Sequence, residues 1–329
     1  MIPDEPITLP LAGPPSRLAL PSTFAAPSAR AADRPRYRLA LALFGLTFLC
    51  ATTLGPALLL ASRTDVTTDL APLLTAGLVR RVWTDPTLLS LGLSFSLPLL
   101  AILLAHEMGH YVACRRYAIA ATLPYFLPLP AMLGTMGAFI RIKAPIRSKR
   151  ELFDIGFAGP AAGFVALLPF LALGVARSRI GVMPAGASFL LPGRCLAIDL
   201  ATRALLRPLR TGEVLNLHPF ALAAWFGLFA TALNLLPLSQ LDGGHILYAA
   251  AGRRQRRLAL PFWLALVLGG LLWPGWWLWC GIVLLMGLRH PPVLDEWTPL
   301  DRRRRGLALL ALVLFALAFM PVPMQGIGL

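Results

Sequence analysis

His106-Glu107-Met108-Gly109-His110 stands near the end of an apolar run, residues 88 to 114, that is long enough to span a bilayer. On an α-helix residues four apart share a face, so His106 and His110 can each present an imidazole nitrogen to one metal ion while Glu107 sits beside them. The spacing H-E-x-x-H is a zinc motif with its carboxylate placed as a general base. A chain with 5 histidines meets this pattern by accident on the order of once in a thousand such sequences. Ionisable side chains are costly in hydrocarbon, so a cluster at that depth reads as a functional site before it reads as packing.

Composition sets the class. Hydrophobic residues make up 57% of the 329 residues and charged residues 14%, with a mean hydropathy of +0.71, whereas soluble domains carry about 25% charged residues. The chain reads as an integral membrane protein. Its net charge of +15 lies between apolar runs and not on a soluble basic face, so it argues for topology determinants and against nucleic acid as a partner. Cys50, Cys114, Cys195 and Cys280 form no C-x-x-C pair; neither a disulfide framework nor a thiolate zinc site follows, and Cys114 and Cys280 read as small apolar packers.

Apolar runs follow at about 37 to 61, 88 to 114, 152 to 175, 218 to 251, 258 to 272, 275 to 288 and 306 to 322. They predict an all-α polytopic fold of about six or seven membrane helices. The fifth and sixth runs are short, and Trp273-Pro274-Gly275-Trp276-Trp277 between them predicts a tight helical hairpin with interfacial aromatics. Residues 1–35, rich in Pro, Ala and Ser, read as a disordered tail with no signal-peptide core. Residues 36–87 hold the first membrane helix and an external loop, 88–292 the membrane core, and 293–329 a basic segment with a last helix. The stretch from about 176 to 217 is too short for an inserted peptide-binding domain, so a core-only architecture is expected.

With a cytoplasmic N-terminus, 21 of the 30 basic residues fall on the cytoplasmic side, an arrangement the positive-inside bias favours. His106 then lies nine residues before Arg115, about 13 Å along a helix. The motif is thus inside the membrane and nearer the cytosol. Zinc held there needs a third protein ligand at the same depth. Asp242, eleven residues before Arg253 in Asn234-Leu235-Leu236-Pro237-Leu238-Ser239-Gln240-Leu241-Asp242-Gly243-Gly244, would lie about 16 Å from the basic cluster if helical. The alternative is a Pro/Gly kink with a buried Asp bonded to backbone; Pro237 and Gly243-Gly244 should interrupt or kink the helix in either case.

In these motifs the chain resembles the site-2 proteases, intramembrane zinc metalloproteases, over roughly residues 88 to 292. Within that family it is most similar to the bacterial and chloroplast branch typified by the gravitropism-deficient plant proteases. The likeness extends to Gly134-Thr135-Met136-Gly137-Ala138-Phe139, Phe157-Ala158-Gly159-Pro160, His218-Pro219 and His290-Pro291-Pro292. It implies that His106, His110 and Asp242 hold one Zn²⁺, that Glu107 activates the attacking water, and that Asn234 steadies the oxyanion. The chemistry of those residue types agrees. It also implies a transmembrane protein as substrate, the lipid bilayer as surroundings, and a bacterial inner membrane as location. The oligomeric state is left open.

Leu123-Pro124-Tyr125-Phe126-Leu127-Pro128-Leu129-Pro130 excludes a continuous helix, and a re-entrant loop or β-hairpin beside the zinc site is expected. In the family this region holds the substrate as an added strand, which gives Gly134 and Gly137 a role: they let another backbone approach. An ordinary interfacial connector is the alternative. His245 reads equally as an outer partner of the zinc site or as a backbone-bonded helix histidine. His218 before Pro219 reads as a helix start, Gly156, Gly159 and Gly163 as close helix packing, and Arg302 to Arg305 as a contact for anionic lipid. A transporter should show an internal repeat, and neither motif has a second copy. An inactive zinc-binding homologue remains open, although the retained Glu107 argues against it.

Overall fold

A computed structural model of the chain describes residues 36–61, 75–130, 134–182, 189–210 and 212–327. The tail expected at 1–35 lies outside them. In chain order the elements are α1 (Tyr37–Ala61), α2 (Ala76–Thr84), α3 (Pro86–Arg116), β1 (Tyr125–Pro128), β2 (Thr135–Phe139), α4 (Lys149–Arg177), β3 (Arg179–Val182), β4 (Phe189–Pro192), α5 (Leu196–Leu205), β5 (Glu213–Asn216), α6 (Pro219–Asn234), α7 (Asp242–Ala251), a 3₁₀ turn (Gly252–Arg254), α8 (Gln255–Gly269), α9 (Gly275–Met286), α10 (Arg302–Ala318) and β6 (Met324–Ile327).

Among the described residues three helices are long and apolar enough to cross a membrane, within Tyr37–Pro56, Pro86–Arg116 and Lys149–Arg177; Pro219–Asn234 and Gly275–Met286 are apolar but shorter. The run at 218 to 251 is not one helix. It breaks at 235–241 into α6 and α7, because Pro237 cannot continue a hydrogen-bonded helix. The Gly243-Gly244 pair does not break the chain again: it lies in the first turn of α7. The fold is also not purely helical. Besides the expected hairpin, β3 pairs antiparallel with β5 and β4 with β6, and these small sheets carry no alternating pattern strong enough to be read from sequence.

Local chemistry starts the helices. Asp85 caps α3 by accepting from Thr87 N at 2.8 Å, with Pro86 in the first turn, where no N–H is needed. Ser148 caps α4 by accepting from Glu151 N, and the Glu151 carboxylate accepts from Arg147 N, one residue before the cap. His218 caps α6, its Nδ1 accepting from Phe220 N at 3.2 Å, which is the helix-start role expected of it. Asp301 caps α10 through Arg304 N.

The long helices then approach closely at small residues, the packing that apolar surroundings favour. A methyl group placed on Gly92 of α3 would lie 2.2 Å from Thr52 O of α1, and beside it Thr52 and Ser96 share a buried hydroxyl hydrogen bond of 2.7 Å. One on Gly174 of α4 would lie 2.1 Å from Ala221 N of α6. Around these crossings Phe95, Leu99, Ile102, Leu167, Leu171, Trp225 and Leu228 form the main core. All four cysteines are buried and free.

The short helices α8 and α9 form the expected hairpin: Trp263 Nε1 donates to Cys280 O at 3.3 Å and Trp277 Nε1 to Val267 O at 3.0 Å. From α9 a strap of residues 287–301 returns across the ends of α7 and α8 to the start of α10. There Arg304 turns inward and forks onto Asp154 of α4 at 2.8 and 2.6 Å, with Tyr117 OH also bound to both. Of the four arginines expected to face lipid, this one is an internal tie, while Arg302, Arg303 and Arg305 are exposed.

Candidate metal centre

α3 carries His106 and His110 one turn apart and 6% and 7% exposed, with Glu107 equally buried beside them. Asp242 arrives from a different part of the fold, as the first residue of α7, where the exposed peptide N–H groups of a helix start favour an anion. The three ligand atoms converge. His106 Nε2 lies 3.1 Å from His110 Nε2, and Asp242 Oδ2 lies 3.2 Å from the first and 3.3 Å from the second.

That triangle fits zinc. Donors about 2.0–2.1 Å from a tetrahedral Zn²⁺ are about 3.3 Å from one another. The tautomer fits too. His110 Nδ1 lies 2.7 Å from Ile155 O, and since a carbonyl only accepts, the proton sits on Nδ1 and the lone pair of Nε2 faces the site. Among the described residues this is the one group of three His, Cys, Asp or Glu side chains able to share an ion. Replacing Asp242 with Ala is therefore expected to lower zinc stoichiometry below one per chain and to weaken affinity by more than the roughly 10–100-fold typical of lost outer partners. Chelator competition on the purified protein measures it, and unchanged affinity would show that another residue is the third ligand.

Room for the ligands comes from α4. A methyl group on Gly159 would lie 2.1 Å from His110 Nε2, one on Gly163 3.1 Å from His106 Cβ, and one on Gly156 2.8 Å from His245 Cβ and 3.2 Å from Asp242 O. The close packing expected of these glycines is thus packing onto the site's own side chains. Gly109, inside the H-E-x-x-H motif, faces the same helix: a methyl group there would meet Ala158 O at 2.3 Å. The spacing Gly156, Gly159, Gly163 keeps one face of a helix bare, and that signal was present in the sequence.

The break at 235–241 delivers Asn234 as well. As the last residue of α6 it reaches the site, its Nδ2 lying 3.3 Å from His106 Nε2. Within the break, Ser239 has φ +52° and a fully buried hydroxyl with no hydrogen-bond partner among the described residues. A left-handed conformation costs a residue with a Cβ about 1–2 kcal/mol. Ser239→Gly is therefore expected to raise stability by about 1 kcal/mol, measured by denaturant or SDS titration; a loss would count against strain at this position.

The hairpin lies where it was expected. β1 and β2 pair antiparallel, Tyr125 opposite Phe139 and Phe126 opposite Ala138. Ile140, following β2, brings its backbone beside the Glu107 carboxylate. The two glycines differ. At Gly134 (φ +77°) the close approach is made by α1, since a methyl group there would lie 2.3 Å from Ala51 N; at Gly137 (φ +105°) no described residue comes within 4 Å of where a methyl group would stand. His245 bonds His290 and is not a fourth member of the triangle.

Fold and site together define a protein of the H-E-x-x-H metal-site class built on apolar helices of membrane-spanning length, with a carboxylate from the short helix α7 completing a donor set that could hold one ion. Residues 94–268 match Peptidase family M50. The chain is 34% identical over 237 residues to the probable zinc metalloprotease EGY1, chloroplastic, of Oryza sativa subsp. japonica, covering 68% of this chain and 39% of the relative. It is 33% identical to the Arabidopsis thaliana EGY1 (68% and 42%) and 30% identical to the Arabidopsis EGY2 (73% and 44%). The chain belongs to peptidase family M50, the site-2 proteases. It spans about two fifths of the length of these curated relatives. Zinc is the metal of the relatives' names, and the donor set here fits it.

Proposed function

We propose that the chain is an intramembrane zinc metalloprotease that hydrolyses peptide bonds within or near transmembrane segments of other membrane proteins, in regulated intramembrane proteolysis. The observation that carries this is the His106–His110–Asp242 triangle with Glu107 buried beside it, its H-E-x-x-H half standing on an apolar helix of membrane-spanning length.

Zinc bound at the triangle supplies Lewis-acid polarisation of the scissile carbonyl and a lowered pKa for the attacking water. Glu107 takes that water's proton and returns it to the leaving amine. Asn234 donates an amide N–H to the developing oxyanion. β2 belongs to a two-stranded sheet and offers its outer edge, so an unwound substrate segment adds there as a strand, with Gly137 leaving room for its backbone. Main-chain bonding of this kind selects for extended chain more than for sequence. Burial among membrane helices restricts the substrate to a chain already in the bilayer.

The topology we propose has about six or seven spans, with α6 and α7 as one broken span and α8 and α9 as short spans or a paired re-entrant hairpin. The N-terminus is cytoplasmic and the site lies nearer the cytoplasmic face of a bacterial inner membrane, as the basic-residue count favours. An inactive homologue would keep the ligands without the base; Glu107 is present and buried at the site.

The test is reconstitution of the full chain in liposomes with a single-pass reporter substrate. Cleavage mapped by mass spectrometry to the membrane segment, lost on chelation and restored by zinc, is the expected result. Cleavage that survives complete zinc removal sinks the proposal.

A further inference from the structure

We infer that His290 is a positioning residue: it fixes the tautomer of His245 and, through that imidazole, the placement of Asp242. The inference rests on Asp242 being the third metal ligand.

The hydrogen-bond chain has one consistent direction. His290 Nδ1 lies 2.6 Å from Pro291 O, and a carbonyl can only accept, so the proton is on Nδ1. Burial pushes the His290 imidazole below its ordinary value, which keeps it neutral. Its Nε2 is then an acceptor. His245 Nδ1, 2.7 Å away, must donate to it, and His245 Nε2 is left without a proton. An isolated neutral histidine favours the other tautomer, so the strap imposes this one.

The anchor is itself held. His290 N donates to Gln255 Oε1 at 3.4 Å, and the buried Gln255 bonds Leu288 O from the same strap. Tyr248, one turn after His245 on α7, stacks on the His290 ring at 4.5 Å and donates to Glu296 at 2.7 Å. On its opposite side the His245 Cβ packs on bare Gly156. His245 therefore pins α7 between α4 and the strap, one turn after the ligand that opens the helix.

Rotation of α7 is what this pin resists. Each residue of an α-helix turns about 100°, so even a modest rotation carries Asp242 Oδ2 out of a triangle whose sides are 3.1–3.3 Å. His110 is fixed by one carbonyl, Ile155 O; Asp242 is fixed at one remove by another, Pro291 O, through two imidazoles.

The experiment uses the full chain in nanodiscs, labelled with ¹⁵N-histidine, first without metal and then titrated with zinc. With five histidines in the chain, loss of one signal in His245→Gln assigns His245. The expected wild-type spectrum has His245 protonated at Nδ1 and unprotonated at Nε2. In His290→Phe the proton moves to Nε2 and zinc affinity falls about 10–100-fold; His290→Gln, which keeps an acceptor, recovers most of that loss. A wild-type His245 protonated at Nε2 overturns the inference, as does a His290→Phe affinity within about twofold of wild type. The wild-type spectrum decides even if the Phe variant does not fold. None of these readouts needs proteolysis, so failure of the protease reading is told apart from failure of this one.

Discussion

Glu107→Gln is expected to bind zinc with unchanged stoichiometry and to lose cleavage by about 10²–10⁴-fold, the usual contribution of a positioned general base. The carboxylate is buried beside the histidines, but it is not one of the three converging ligand atoms. Glutamine is close to isosteric with glutamate, so the packing around it stays in place. Only the capacity to take a proton is gone. A reporter substrate in liposomes measures the loss, and equal rates for the two proteins would refute Glu107 as the base.

Gly159→Ala is expected to abolish stoichiometric zinc binding without touching any ligand. The added methyl would lie 2.1 Å from Nε2 and 2.4 Å from Cε1 of His110. This is a rigid ring, not the free end of a flexible chain, and its far side is already bound to Ile155 O at 2.7 Å. The imidazole must leave the triangle or α4 must back away from α3, and Gly109 against Ala158 O shows that those backbones are already in contact. The matched control is Gly281→Ala in α9, where a methyl group meets nothing within 4 Å and zinc binding should be unchanged. Chelator competition on both variants reads the difference; retained zinc in Gly159→Ala would show that the ring can move without cost.

Much of the centre was legible because it is written in side-chain types that hydrocarbon penalises. His106, Glu107 and His110 announce themselves by spacing, and Asp242 by matching depth. The rest of the centre is carried by groups without a distinctive side chain. Ile155 O is a backbone atom that any residue could supply, and Gly159 acts by lacking a Cβ. The break at Pro237 was legible from proline's missing N–H, but the restart of α7 at Asp242 was not, since Gly243 and Gly244 read as breakers when judged alone. Their actual neighbours are Leu235 O and Ser239 O, 2.1 and 2.4 Å from where methyl groups would stand. The paired strands β3–β5 and β4–β6 join segments far apart in the chain, and single-strand patterns of four residues carry too little alternation to betray them.

The segment 235–241 also acts as a ruler. It measures the interval between Asn234, which closes one helix, and Asp242, which opens the next, so that both arrive at the same imidazole. One inserted residue would turn α7 by about 100° and advance it by about 1.5 Å, aiming the carboxylate away while every side chain of the centre remained present. Length here carries as much information as identity. Chains that keep all five polar residues of the centre but differ by a single deletion or insertion in this segment would therefore retain the motifs and lose the metal.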